Sequence, residues 1–117
     1  MRRAAIYYRD DLAGILTESD DGNYIFVYED DYIKRYPGQF LTFTMPVRPQ
    51  KYVGKRLFPF FEGLLPEGWL LDIASKKWMI NPSDRMGLLM ACCQNCVGAV
   101  SIQPIAENNN FIRENLP

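Results

Sequence analysis

The residues able to do chemistry in this sequence are few, and what they lack is the first finding. There is no histidine among the 117 residues. That removes the usual general base, the usual triad member and the commonest metal ligand together. Gly14, Gly22, Gly38, Gly54, Gly63, Gly68, Gly87 and Gly98 are scattered and never form the spacing of a phosphate-cradling loop or a dinucleotide fold. Cys92, Cys93 and Cys96 crowd one segment. Thiolates at that spacing could occupy two or three positions around zinc, but the sequence offers no second pair and no fourth ligand. They read instead as small apolar residues of a helix, with redox sensing as the lesser alternative. Three acidic doublets, Asp10-Asp11, Asp20-Asp21 and Asp30-Asp31, raise the question of calcium. Each falls at a turn or a helix start, where aspartate is favoured for local reasons. No enzyme, metal or cofactor is expected.

What stands out is a binding pattern. Phe58 to Trp69 reads FPFFEGLLPEGW, four aromatics with two glycines and two prolines. Glycine and proline break the helix between Gly63 and Gly68. The break is expected to place Glu67, Gly68 and Trp69 on a stiff exposed corner with an aromatic at its tip. A large rigid ring on such a corner suits a binding hot spot, because it desolvates much area and loses little entropy. The alternative is that Trp69 is a core residue of the following helix. Leu65, Pro66, Glu67, Gly68, Trp69 and Asp72 are the candidate partner-binding residues.

The elements that must position this corner are legible as a coarse pattern. Ala4–Tyr8 and Leu12–Thr17, joined at Arg9-Asp10-Asp11, read as a β-hairpin. Ser19 to Asn23 is a dense turn cluster that delivers the strand Tyr24–Tyr28. Glu29–Tyr36 is acidic at its start and basic at its end, as a short helix prefers, and Pro37-Gly38 stops it. Phe40–Met45 reads as another strand. Pro46, Pro49 and Gly54 make Met45–Gly54 an irregular connection. Leu57, Phe60, Phe61 and Leu64 recur at helical spacing over about two turns. A second helical stretch begins at Glu67 and continues through Leu70, Leu71, Ile73, Ala74 and Trp78. Asn81-Pro82-Ser83-Asp84 is a start signal for a third, carrying Met86, Leu88, Leu89 and Met90. Val97–Ile102 is a final strand, closed by Pro104. The expected fold is α+β: a small antiparallel sheet of about five strands with three or so short helices. Residues 1–104 form the domain, and 105–117 a polar tail with Phe111, Ile112 and Leu116 as its anchors.

Composition bounds the partners. Hydrophobic residues make up 48% and charged residues 23%, ordinary globular usage that excludes a disordered or fibrous class. Thirteen basic against 14 acidic side chains give a net charge of −1, so no broad positive field gathers a phosphate backbone, and direct nucleic-acid binding is disfavoured. Charge resumes at Arg9, leaving no apolar stretch of signal-peptide length, so a cytoplasmic location is expected. No apolar run reaches the roughly 20 residues of a membrane span.

The string Phe60-Phe61-Glu62-Gly63-Leu64-Leu65-Pro66-Glu67, the upstream Leu41-Thr42-Phe43-Thr44-Met45-Pro46 and the closing Val97-Gly98-Ala99-Val100-Ser101 together resemble the N-terminal subdomain of HipA-type serine/threonine kinases. The resemblance spans about Ala4 to Pro104. It implies a small α+β unit standing in front of a much longer kinase, and the sequence ends where the catalytic portion would begin. The kinase's phosphate-binding loop, catalytic aspartate and metal-binding aspartate have no counterpart, so kinase activity is not carried over. A free-standing copy of this subdomain is similar to the HipS subunits of split HipBST toxin–antitoxin systems. That similarity implies an antitoxin that binds a separate HipT-like kinase toxin, alongside a HipB-like DNA-binding protein in a ternary complex. The alternatives are an accessory subunit that completes the kinase N-lobe without inhibiting it, and a DNA-binding corepressor.

Overall fold

The computed structural model describes residues 1–94 and 99–105, with Trp69 described through its backbone alone. Five strands and four helices follow in the order β1 (Arg2–Tyr8), β2 (Asp11–Glu18), β3 (Tyr24–Tyr28), α1 (Asp30–Arg35), β4 (Tyr52–Gly54), α2 (Pro59–Glu62), α3 (Gly68–Trp78), α4 (Arg85–Cys92) and β5 (Val100–Ile105). The sheet order is β4-β3-β2-β1-β5, and every pair is antiparallel. This is the α+β architecture expected.

Local chemistry builds the meander. The β1–β2 hairpin turns through Arg9 and Asp10 at φ 55° and 85°, the left-handed pair that a two-residue hairpin needs to match strand twist. At the next turn Ser19 N–H donates to the Asn23 carbonyl at 2.8 Å, Gly22 N–H donates back to the Ser19 carbonyl at 3.0 Å, and Gly22 takes φ 87°. Gly14 in β2 has a packing reason. A Cβ there would lie 2.4 Å from the Val27 carbonyl oxygen and 2.6 Å from Phe26 Cζ, so only glycine lets the Phe26 ring lie across the strand.

The stretch between α1 and α2 departs from the sequence reading. Phe40–Met45 is not a strand. Leu41 and Met45 turn inward and are buried while Phe43 is 79% exposed. Buried tyrosine hydroxyls hold the segment from beneath: Tyr28 Oη donates to the Met45 carbonyl at 2.5 Å and accepts from Leu41 N–H at 3.2 Å, and Tyr32 Oη donates to the Gln39 carbonyl at 2.7 Å. These bonds satisfy backbone groups that a strand would have paired in the sheet. The fourth strand lies later, at Tyr52–Gly54, inside the span expected to be irregular. The first apolar helix is also shorter than its spacing suggests: α2 covers only Pro59–Glu62. The last strand runs Val100–Ile105 and contains Pro104, which is tolerated because β5 is an edge paired only with β1. The expected start of that strand at Val97 and the tail 106–117 lie outside the described residues, as does Cys96.

The core sits between the sheet and the helices. Ala4, Ile6, Leu16 and Phe26 from the sheet meet Tyr32 of α1, Phe61 of α2, and Met86, Leu88 and Leu89 of α4. Helices α1, α2 and α4 therefore layer on one face, and α3 joins them through half-buried Leu71. Cys93 is 1% exposed in this core, and its Sγ–H donates to the Leu64 carbonyl at 3.6 Å. Asp84 caps α4 by accepting from Gly87 N–H at 3.1 Å, and its carboxylate also receives Arg2 through two bonds of 3.1 and 2.8 Å. One side chain thus closes a helix end and ties it to the first strand. The Arg2 guanidinium holds the Asp84 carboxyl below its usual range. No helix among the described residues is long and apolar enough to cross a membrane.

Candidate functional site

The corner arises where the chain leaves α2. Gly63 ends that helix, Leu65 drops into the core at 5% exposure, and Pro66 is half-buried. The core burial of Leu65 fixes the root of the corner rather than offering it to a partner. Glu67 then takes an extended conformation at the N-cap of α3 without a side-chain cap bond, and Gly68 turns the chain at φ 59° with nothing within 4 Å of a Cβ placed there. Both are exposed. Asp72, one turn into α3, is exposed as well. The Trp69 side chain lies outside what is described. A salt bridge braces the ground beneath: Arg85 of α4 holds Glu62 of α2 through bonds of 3.2 and 2.8 Å.

The surface continues from this corner along α3. Among the described side chains of that helix only Ser75 is buried, at 7% exposure, and Leu71 reaches the core as a half-buried side chain. Leu70, Ile73 and Trp78 are 51%, 53% and 46% exposed. Leu64, Pro66, Leu70, Ile73, Trp78 and Ala91 line an open groove of about 610 Å³ between α3 and α4. The helix ends in a Schellman arrangement: Ile80 N–H donates to the Ser75 carbonyl at 2.9 Å and Met79 N–H to the Lys76 carbonyl at 3.3 Å. Met79 occupies the left-handed position, φ 57°, where glycine is usual, and it is 91% exposed. A strained residue that is also apolar and exposed is costly to the free chain on both counts.

Of the six residues singled out in the sequence, Pro66 lines the groove, Glu67, Gly68 and Asp72 stand on its exposed approach, and Leu65 belongs to the core. Leu70, Ile73, Trp78 and Met79 were not singled out. Their helical spacing shows that some of them share a face, but spacing does not say whether the chain's own core covers that face. The described residues hold no group of three or more histidine, cysteine, aspartate or glutamate side chains placed to bind a metal ion. The site can offer shape, apolar area and a few carboxylates, which is the chemistry of protein docking.

Comparison with known proteins agrees with the topology. A solved structure, the N-terminal domain of HipA toxin, superposes with a TM-score of 0.69 at 26% identity, covering 92% of this chain and 96% of that one. An uncharacterized protein of Haemophilus influenzae is 31% identical over 103 residues, 88% of this chain and 92% of the relative. The family model described as HipA N-terminal domain matches residues 4–103. With a superposition over most of both chains and a family match over residues 4–103, the chain belongs to the HipA N-terminal domain family.

Proposed function

We propose that this protein is an antitoxin that binds and neutralises a separate HipT-like serine/threonine kinase. The observation that carries the reading is the uncovered apolar groove along α3, continuous with the Pro66–Gly68 corner. A domain without histidine or an assembled nucleophile acts by contact, and exposed Leu70, Ile73 and Trp78 around a concave floor are what a docking face requires. The Haemophilus relative is matched over 92% of its own length, so that protein consists of little more than this one domain. In the proposed complex, the α3 face anchors on the kinase N-lobe. Leu65 and Pro66 hold the corner, and Glu67, Gly68, Trp69 and Asp72 reach towards the catalytic cleft, where Trp69 fills space needed by substrate or nucleotide. A HipB-like DNA-binding protein completes a ternary complex, and this chain makes no direct contact with nucleic acid.

The test is phosphoryl transfer by a purified HipA-type kinase lacking its own N-terminal subdomain, with and without this protein. Inhibition by the parent, weakened by Trp69→Ala and by Leu70→Asp, is the expected result. Unchanged turnover at saturating subunit sinks the antitoxin reading, and increased turnover establishes an accessory subunit instead.

A further inference from the structure

The sheet has a second face, and it too is apolar. Side chains alternate across each strand, and Ala4, Ile6, Leu16 and Phe26 point into the core beneath the helices. Their strand neighbours point the other way. The register aligns Val53 with Ile25 in one row, Val27 with Ile15 and Ala5 in the next, and brings Leu12 opposite Tyr7 in a third. None of these joins the core cluster, and all but the buried Ala5 keep part of their surface in water. An antiparallel sheet with one solvated face ordinarily alternates apolar inward and polar outward, yet β3 reads Tyr-Ile-Phe-Val-Tyr with no charged position. Val53 is 60% exposed at the edge of this face.

A cation stands beside the patch. Arg3 is exposed, lies in the row of Val53 and Ile25 next to Thr17, and makes no ion pair among the described residues. Its neighbour Arg2 points to the core side and is held by Glu18 and Asp84. The difference is one of strand alternation: Arg2 meets two carboxylates on its face, and Arg3 meets none on the other.

We propose that this outer sheet face is a second docking surface whose occupant is an amphipathic helix of a partner protein, with a carboxylate set against Arg3. Three observations select that occupant. The patch crosses four strands, about 14 Å, close to the width of one helix with its side chains, about 12 Å. The only charge in the paired rows of this face is positive. A second copy of this chain, meeting the same face by a two-fold axis, would bring another Arg3 and no acidic group to it, whereas a carboxylate gives a charge-assisted bond at the rim of an apolar contact. The surface lies across the sheet from α3, so the inference stands apart from the antitoxin reading and lets the domain join two proteins at once.

The experiment titrates the full-length protein with two stapled amphipathic peptides that share a leucine–alanine stripe and differ only in a central Glu or Lys. The Glu peptide is expected to bind about tenfold tighter, as opposite charges at a contact rim allow, and Arg3→Glu to reverse the preference. Val27→Lys abolishes binding of both, while Leu70→Asp on α3 leaves both unchanged. Arg3 is solvent-exposed, so its charge reversal reads out the interface without risk to the fold, and melting curves check Val27→Lys. Equal binding of the two peptides, or an order unaffected by Arg3→Glu, overturns the proposal. Concentration-dependent dimerisation removed by Val27→Lys gives the face to a second copy. Tighter peptide binding by Phe111→Asp gives it to the chain's own C-terminal segment. Either result overturns the proposal.

Discussion

The body formed by β1, β2, β3 and α4 and the arm formed by α3 use apolar residues in opposite ways. In the body, Ile6, Leu16, Phe26, Met86, Leu88 and Leu89 are fully buried. Polar staples such as Arg2–Asp84 join parts of the chain 82 residues apart. In α3, Leu70, Ile73 and Trp78 remain about half in water, and among the described side chains Leu71 packs against the core. Both segments are helical or extended for ordinary reasons of pattern and capping. The comparison teaches that the same apolar composition has two fates here: in the body it is sealed into the core, and on the arm it stays half in water.

That contrast can be broken from either side. The largest stability effect is expected in the body. Phe26→Ala removes a ring that meets Tyr28 edge-on at 4.9 Å and Phe61 at 5.9 Å, and should cost about 3–5 kcal/mol by chemical denaturation. Next comes the arm, through binding alone. Ile73→Asp should change the melting curve little and yet weaken a kinase complex by about 2 kcal/mol or more, the scale of a hot-spot loss. Equal damage to stability would return α3 to the body.

Asp84→Asn sharpens the contrast through pH. The folded carboxyl is held below its ordinary value by Arg2 and by the Gly87 N–H. Its stabilisation is therefore present above the unfolded pKa of about 4 and lost as pH falls through the folded one. The parent should lose stability on that acid limb, and the variant, whose amide oxygen still caps α4, should start up to about 1 kcal/mol lower through loss of the partly exposed Arg2 ion pair, with a flatter limb. The alkaline limb has the opposite sign. Burial pushes the Tyr32 hydroxyl up to about 12, so its contribution is full below pH of about 10 and is lost as pH rises towards 12. Tyr32→Phe should remove that dependence. The smallest effect belongs to the arm: Met79→Gly relieves a left-handed methionine and should stabilise the free protein by up to about 1 kcal/mol. If Met79 belongs to the docking face, the same change weakens the complex.

The hairpin, the Tyr24–Tyr28 strand, the capped α4 and the break before α3 were legible because each is specified by near neighbours. Turn residues, β-branched runs and a capping aspartate act within a few positions of one another. The strand expected at Phe40–Met45 failed for the complementary reason. Its apolar residues are real, and Leu41 and Met45 are buried, but the backbone found hydrogen-bond partners in Tyr28 and Tyr32 rather than in a sheet edge. Three apolar residues at Tyr52–Gly54 supply the fourth strand because they lie where β3 offers its free edge.

For function, the absence of histidine and of any phosphate-loop spacing pointed the sequence reading towards a binding role. The corner around Glu67 was also visible there, because glycine and proline act locally. Which apolar faces the chain leaves uncovered was decided only by tertiary structure. Leu70, Ile73 and Val53 are of the same residue types as those of the core. Their exposure depends on where every other element packs, and periodicity carries no record of that.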